Sequence, residues 1–264
     1  MSLRSRIESV GARTLDGFSA ALELWRVFAG TIAGTFRGGR PKGEVVNQMY
    51  IVGNKSLVFI GVTLGVIGMV SIYQSCLQIN RITGDLSQIG PEYAKLLTSD
   101  FAATLTGMML ATRVGAGIAA EVGSMKVTEQ VDALRMSGVA PIDYLIVPRF
   151  MACVVMTVVL SLFGGIMAFA MGGLTAATSF DLNPSVFFDL SKVNPTHLGL
   201  GLAKAISYGM AIPIISGFCG LRARGSSEGV GWATTAAVIG SSFAVILLDF
   251  IISAFGLIVL EEGL

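Results

Sequence analysis

The stretch AAEVGSMKVTEQVDALRMSGVAPIDYLIVPR, residues 119–149, carries seven ionisable side chains between two runs that are apolar enough for a membrane. Its centre has a helical pattern, with Val127 and Val131 on one face and charged residues on the others. Gly138 is suited to end this helix in the left-handed region, and Pro141 to prevent it from resuming. The pattern predicts a short amphipathic helix at a membrane surface, which is either a solvated connector or a contact surface for a partner.

The composition is typical of a membrane protein. Of 264 residues, 53% are hydrophobic and only 13% are charged, and the mean hydropathy is +0.74. A soluble domain of this length needs more charge on its surface, so the bilayer is the expected solvent. The net charge of +1 argues against a nucleic-acid partner. The three cysteines lie in apolar runs without ligand spacing, so we expect neither disulfides nor a metal site.

Apolar length predicts the membrane spans, because a spanning helix needs roughly 20 apolar residues. Four stretches meet this requirement, and a fifth, residues 93–120, is interrupted by Lys95, Asp100 and Arg113. The other four are residues 56–80, 151–180, 198–221 and 232–260. We therefore expect an all-α polytopic membrane protein whose termini lie on opposite sides.

The distribution of lysine and arginine predicts the orientation of these spans. Fourteen basic residues fall on the side of the N-terminus and three on the other side. The first group is Arg4, Arg6, Arg13, Arg26, Arg37, Arg40, Lys42, Lys55, Arg113, Lys126, Arg135, Arg149, Arg222 and Arg224, and the second is Arg81, Lys95 and Lys192. We expect the N-terminus to be cytoplasmic and the C-terminal tail to lie outside.

An apolar stripe precedes the first span. Its members recur at steps of three and four and are Leu15, Phe18, Leu22, Trp25, Ala29, Ile32 and Phe36. This periodicity predicts an amphipathic helix in the membrane interface, with basic residues beside anionic headgroups. The alternative is a helix that packs against the spans.

Two ionisable residues lie well inside predicted spans, Lys204 in the fourth and Asp249 in the fifth. An ionised side chain at the bilayer centre costs about 2.5 to 3.5 kcal/mol on insertion scales, so such residues are candidates for function. Both are expected in the outer half, where they are able to pair. Two interpretations stay open, an ion pair that fixes the packing of two spans and a direct role in transport.

Of two sequence patterns found in nucleotide-binding proteins, one occurs in this chain and the other does not. Gly115, Gly117 and Ala120 match G-x-G-x-x-A, but no strand pattern precedes them, so we interpret Ala111, Gly115 and Ala119 as small residues for close helix packing. The chain has no G-x-x-x-x-G-K-[ST] segment. If ATP drives this protein, another polypeptide must bind the nucleotide.

Two segments resemble the MlaE/YrbE permease family, the membrane subunits of phospholipid ABC transporters associated with MCE proteins. They are ATRVGAGIAAEVGSMKVTEQVDALRMSGVAPIDYLIVPRFMA, residues 111–152, and GVGWATTAAVIGSSFAVILLDF, residues 229–250. The likeness extends from about Val45 to the C-terminus. It implies a multi-pass protein of the bacterial inner membrane with a periplasmic C-terminus. Entry to the second span departs from the family, which commonly has Arg-Glu-Leu-Gly-Pro where this chain reads TSDFAATLTG.

The resemblance assigns roles to particular residues. In the family the segment after span two docks on the ATPase, so residues 121–141, here called the coupling segment, are expected to do so. Candidate coupling residues are Glu121, Lys126, Glu129, Asp132, Arg135 and Pro141. Related permeases also have a Lys and an Asp in the contexts of Lys204 and Asp249, which supports a role of both in transport.

The outer ends of the spans supply further candidates. In the resembled family the first span of each of two copies lines an outward-opening lipid cavity, which makes Tyr73, Gln74 and Leu77 candidates for lipid contact. The alternative is that these three only mark the interface belt. We expect Phe187 and Phe188 to touch the outer leaflet or an MCE ring. His197 is expected at the surface.

The leading interpretation is a non-catalytic permease subunit that forms a dimeric lipid pathway. Residues 1–55 would form a cytoplasmic N-terminus with the interfacial helix, and residues 56–260 one permease domain. The expected partners are a second copy of the chain, an ABC-type ATPase in two copies that holds ATP and magnesium, a periplasmic MCE protein and phospholipid; a small cytoplasmic accessory subunit is also allowed. This chain itself is expected to bind no cofactor and no nucleic acid.

Two rival functions fit the sequence less well. The first is an ion-coupled secondary transporter of a small or lipidic substrate, although such carriers often show repeated halves and several ionisable groups at mid-membrane depth. The second is an intramembrane enzyme, for which the sequence offers no nucleophile with its base and no metal-ligand cluster.

Overall fold

A computed structural model of the chain describes residues 3–37, 43–82 and 84–261, with side chains for 19–36, 43–82 and 84–258. The helices are α1 Leu3–Arg37, α2 Glu44–Ile82, α3 Ile89–Leu96, α4 Ala102–Leu110, α5 Ala116–Val127, α6 Gln130–Met136, α7 Val147–Phe180, α8 Pro184–Phe187, α9 Pro195–Leu221 and α10 Ser227–Glu261. Three π-helical turns, Leu97–Phe101, Ala111–Gly115 and Ile142–Ile146, extend them. The sequence predictions for the side chains of Arg4, Arg6, Arg13, Leu15, Phe18, Arg37, Arg40 and Lys42 lie outside the described residues.

Five helical stretches are long and apolar enough to cross a membrane. They are Glu44–Ile82, Ile89–Val127, Ile142–Phe180, Pro195–Leu221 and Ser227–Ile258, and are called spans one to five. The predicted all-α polytopic fold is confirmed, including the span that charges interrupt. Several helices are longer than their apolar runs because their polar ends stay helical; Gln48, for example, donates to the Glu44 carboxylate at 2.9 Å.

Span two lies at the centre of the bundle and contacts the other four spans. Span three packs along span one, where Gly68 allows close approach, since an added Cβ there would lie 2.2 Å from the Ala168 carbonyl oxygen. On the other side of the bundle Gly115 packs closely against span four, since an added Cβ there would lie 3.0 Å from Ser216 Oγ. Ala119 is fully buried. These small residues therefore serve helix packing, as the sequence predicted.

Span two is not a regular α-helix. Its two π-helical turns contain Asp100 and Arg113, the charges that interrupt its apolar sequence. A π-turn adds a residue to the helical path and re-aims the side chains around it, and such turns are frequent at functional sites. Asp100 reaches a lysine of span four, and Arg113 donates a hydrogen bond to Ser56 of span one. Both charges thus find polar partners on neighbouring spans.

The N-terminal helix α1 packs against the spans, one of the two alternatives that the sequence left open, and also exposes an apolar stripe. Its described apolar stripe points away from the protein, with Trp25 65% exposed and Phe36 85% exposed, as expected of a helix in a membrane interface. A different flank, with Val27 and Thr31 buried, packs against spans three and four. The helix is therefore anchored to the bundle along one side and free for lipid along the other.

The close approach at Gly68 leads to a testable prediction. Gly68→Ala should lower the thermal midpoint of the purified chain, because its Cβ must push spans one and three apart, and overpacking of this kind costs about 1 to 3 kcal/mol. Gly117→Ala is the matched control, since no atom lies within 4 Å of the added Cβ. Equal midpoints for the two variants in a thermal-shift assay would contradict the packing described here.

Candidate functional site

The coupling segment contains one short helix, α6, which lies between two residues in the left-handed region. Helix α6 starts after Glu129, whose φ is +62°, and is followed by Gly138 with φ +79°, as predicted for Gly138. The prediction that Pro141 prevents the helix from resuming is wrong. Pro141 lies at the N-terminus of the π-turn that opens span three, where its missing N–H costs no hydrogen bond.

Two cations hold one carboxylate within the coupling segment. Lys126 Nζ lies 2.7 Å from Asp132 Oδ2, and Arg135 Nη1 lies 3.2 Å from Asp132 Oδ1. The Lys126 ammonium, which donates to Asp132, keeps the pKa of that carboxyl below its usual value. Lys126 ends span two whereas Asp132 lies on α6, so this contact ties α6 to span two.

The apolar face of α6 is buried in the bundle. Val131 is completely buried and belongs to a cluster with Val27 of α1, Ile146 of span three and Ile214 of span four. A second ion pair joins spans two and three, because Arg149 Nη2 of span three lies 2.7 Å from Glu121 Oε2 of span two. Glu121, a candidate coupling residue, thus has an anchoring contact in the structure. The segment is therefore fixed to spans two and three by both apolar and ionic contacts.

The outward side of α6 is left exposed by the residues that the structure describes. Glu129 and Arg135 are exposed, and so are the apolar side chains of Met136 (86%) and Val139 (38%). These four residues are called the docking surface below. Exposed apolar groups beside charges are characteristic of protein interaction sites.

A buried lysine joins spans two, four and five. Lys204 is fully buried, and its ammonium contacts Asp100 of span two, lies 2.7 Å from Asp249 of span five and donates to Ser253 Oγ at 2.7 Å. An ammonium has three protons to donate, and three oxygen partners surround this one. The sequence left the pairing of Lys204 with Asp249 open, and the structure shows that they pair. Lys204, Asp100 and Asp249 are called the charge cluster.

Hydroxyl groups complete the shell around Asp249. Tyr208 donates to Asp249 Oδ1 at 2.7 Å, and Thr104 donates to the same oxygen at 2.9 Å. Two carboxylates share one ammonium, so the cluster has a surplus of negative charge when all three groups are ionised. Sequence reasoning missed Asp100 as a partner, although its depth near the outer end of span two matches that of Lys204 near the outer end of span four.

The outer ends of the spans match the predictions unevenly. Tyr73 and Gln74 are exposed and Leu77 is half-buried, in the C-terminal third of span one. Phe188 is half exposed, but Phe187 is buried against Phe169, so the expectation that both phenylalanines meet the outer leaflet is wrong.

His197 is also placed differently from the prediction. It is 5% exposed, and its Nδ1 accepts a hydrogen bond from the backbone N–H of Asn194 at 3.2 Å. Together with the Asn194 side chain this forms a capping box at the start of span four. The asparagine three residues before the histidine is the signal that sequence reasoning overlooked.

Comparison with known proteins identifies the family. A family model described as Permease MlaE matches residues 45–255. This chain belongs to the MlaE permease family. The matched residues include nearly all of the five spans, the whole coupling segment and all three members of the charge cluster.

Curated relatives carry the name of a transporter subunit. A probable ABC transporter permease protein of Synechocystis sp. is 34% identical over 217 residues, 80% of each chain. One of Rickettsia felis is 32% identical over 248 residues, 93% of this chain and 95% of its own. The chloroplastic protein TRIGALACTOSYLDIACYLGLYCEROL 1 of Arabidopsis thaliana is 30% identical over 214 residues, 80% of this chain and 61% of its own. This MlaE permease is thus a multi-pass subunit of the ABC transporter class, which implies a partner ATPase.

The buried lysine gives the second prediction. Lys204→Ala should lower the thermal midpoint strongly, because breaking a buried pair by removing one partner costs about 3 to 5 kcal/mol. Lys192→Ala removes the exposed ion pair of Lys192 with Glu92 and should cost less than about 1 kcal/mol. Adding Asp249→Asn to Lys204→Ala should restore part of the loss, since it removes one unpaired carboxylate. If the Lys204 and Lys192 variants melted at the same temperature, the cluster would have no structural weight.

Proposed function

We propose that this chain is the permease subunit of an ATP-driven lipid transporter, in which two copies form the lipid pathway and each docks an ATPase through its coupling segment. The observation that carries the proposal is the coupling segment itself. It presents an uncovered docking surface outward and is fixed inward to spans two and three.

The attachment of α6 suits it to transmit force. Lys126 and Asp132 tie it to span two at 2.7 Å, and Glu121 and Arg149 tie span two to span three at the same distance. Val131 is completely buried among residues of α1 and spans three and four. Because packed interiors are stiff, a push on α6 displaces these spans rather than bending the connection.

Span two extends this connection to the far end of the bundle. It runs from Ile89 to Val127, and about 26 residues at 1.5 Å each separate Asp100 from Lys126, close to 40 Å along the helix. A displacement of span two therefore acts on Asp100, whose ammonium partner Lys204 lies on span four. In this proposal Lys204 and Asp249 are transport-relevant because they couple spans four and five to that movement.

Lipid is the substrate class that the exterior of the bundle favours. Span five exposes a long apolar surface, including Phe243, Phe250 and Phe255, for the bilayer or a second copy. Tyr73, Gln74 and Leu77 lie on the outer part of span one, in position for a lipid that enters a shared pathway. The name of the Arabidopsis relative contains a galactolipid. We further propose phospholipid as substrate, an MCE protein as the outer partner and the bacterial inner membrane as the location, with ATP and magnesium held by the ATPase.

A second candidate function follows from the charge cluster. Its two carboxylates share one ammonium, so one of the carboxylates is able to take up a proton. An ion-coupled carrier requires such a group within the membrane. Such a carrier works without an ATPase. Uptake by the purified chain alone in vesicles, dependent on an ion gradient, would favour the carrier over the permease subunit.

The docking surface gives the third prediction. The double variant Glu129→Lys and Met136→Asp reverses one charge and removes the exposed apolar group, so it should reduce recovery of the ATPase with affinity-tagged chain by about tenfold or more, the loss expected for about 1.4 kcal/mol. The matched control is Gln78→Lys with Ile82→Asp, which changes two exposed residues at the C-terminal end of span one. ATPase recovery that falls equally in both double variants, or in neither, would refute the assigned surface.

The charge cluster gives the fourth prediction. Asp249→Asn should leave ATPase recovery unchanged but reduce ATP-dependent transfer of a fluorescent phospholipid in proteoliposomes, because it uncouples spans four and five without touching α6. Asp85→Asn, in the exposed connection after span one, should change neither quantity. Transfer at the full rate in Asp249→Asn would remove the cluster from the mechanism.

A further inference from the structure

A basic cavity of about 580 Å³ lies between α1, the coupling segment and the end of span four. Its floor is apolar and includes Val27 and Leu221. Among the described side chains, five cations line it and one carboxylate, that of Glu23. The cations are Arg26, Lys126, Arg135, Arg222 and Arg224.

The carboxylates nearby do not balance these cations. Asp132 binds Lys126 and Arg135, and Glu23 lies 3.7 Å from Arg222. Among the described side chains, Arg26 and Arg224 form no ion pair with a carboxylate. Five positive charges therefore meet two negative ones, and the cavity has a positive potential that favours an anion.

The opposite flank of α1 shows where the cavity lies relative to the bilayer. Trp25 and Phe28 stack there at 5.4 Å and border an apolar cavity of about 390 Å³ that Met210 and Ile214 of span four also line. Residues 25 and 28 lie on the other side of the helix from residue 26. Aromatic residues of this kind mark the membrane interface. Helix α1 thus separates an acyl-chain environment from a basic one, as the phosphate layer of a leaflet does.

We propose that the basic cavity binds the phosphate headgroup of an anionic phospholipid from the leaflet in which α1 lies. Arg26 and Arg224 supply the unpaired charges, and Arg222, held over the Phe218 ring at 5.3 Å, supplies a pre-positioned guanidinium. Guanidinium groups bind phosphate through paired N–H donors. Basic pockets between membrane helices on the side rich in Lys and Arg are suited to anionic headgroups.

The shape of the cavity favours a lipid over a segment of a partner protein. It is concave and of headgroup size, and its apolar floor suits the glycerol and the first methylenes of an acyl chain. The docking surface shares only Arg135 with the cavity, and its other members, including Glu129 and Met136, are exposed outside it. The inference does not depend on the proposed function, since it concerns this chain and its own leaflet alone.

Native mass spectrometry of the full-length chain in detergent tests the site without an ATPase. The probes are phosphatidylglycerol and phosphatidylcholine with identical acyl chains, added in equal amounts. The wild-type chain should retain phosphatidylglycerol over phosphatidylcholine. Arg26→Gln with Arg224→Gln should lower phosphatidylglycerol retention about tenfold or more, the loss expected for two cations near a membrane surface, and leave phosphatidylcholine unchanged. Millimolar inorganic phosphate should not displace the lipid.

The matched control is Lys55→Gln with Arg81→Gln, which removes two exposed charges of span one and should retain the lipid as the wild type does. Equal retention of both lipids by the wild type, or equal losses in the two double variants, would overturn the proposal. Displacement by inorganic phosphate would reassign the cavity to free phosphate. Intact phosphatidylglycerol binding combined with loss of ATPase recovery in Arg26→Gln/Arg224→Gln would reassign it to an acidic segment of the ATPase.

Discussion

The fold depends on the cost of placing the ammonium of Lys204 inside a bilayer. In a medium of low dielectric constant an isolated charge is unstable, so the lysine requires oppositely charged or hydrogen-bonding partners. Its partners come from two other helices, Asp100 on span two and Asp249 and Ser253 on span five. A single buried charge thereby fixes the relative positions of three spans. Because two carboxylates share this one ammonium, the ammonium keeps a charged partner when either contact is lost.

The opposite end of the bundle is organised by a different combination of contacts. There the burial of Val131 holds α6 against the bundle. The ion pair of Lys126 joins α6 to span two, and that of Arg149 joins span two to span three. The carboxylate partners of both pairs, Asp132 and Glu121, are partly exposed to solvent, which weakens ion pairs. The apolar contact therefore supplies most of the stiffness. Span two connects the two ends as one helical stretch whose π-turns face each charge toward a partner. Together these features join a surface helix at one end of the bundle to buried charges near the other end.

Much of the fold was predictable because the deciding information is local. Apolar length identified the five spans, and helical periodicity identified α6 and the exposed stripe of α1. Contacts between distant positions were not predictable in the same way. Asp100 lies 104 residues from Lys204 and sits in a π-turn, so no local spacing points to their contact. Phe187 and His197 were expected to face outward, but packing on Phe169 and capping of span four bury them. Pro141 was misjudged because proline is tolerated at the start of a helix as well as beyond the end of one.

The central claim is that force from a cytoplasmic ATPase enters through α6, which requires α6 to face the cytoplasm. Labelling of an engineered thiol with a membrane-impermeant maleimide tests this directly, and the three native cysteines are buried and suited to a low background. A cysteine in place of exposed Ser137 should react in inside-out vesicles and not in intact cells, whereas one in place of exposed Asn80 should show the reverse. Labelling of the Ser137 position from outside the cell would contradict the account.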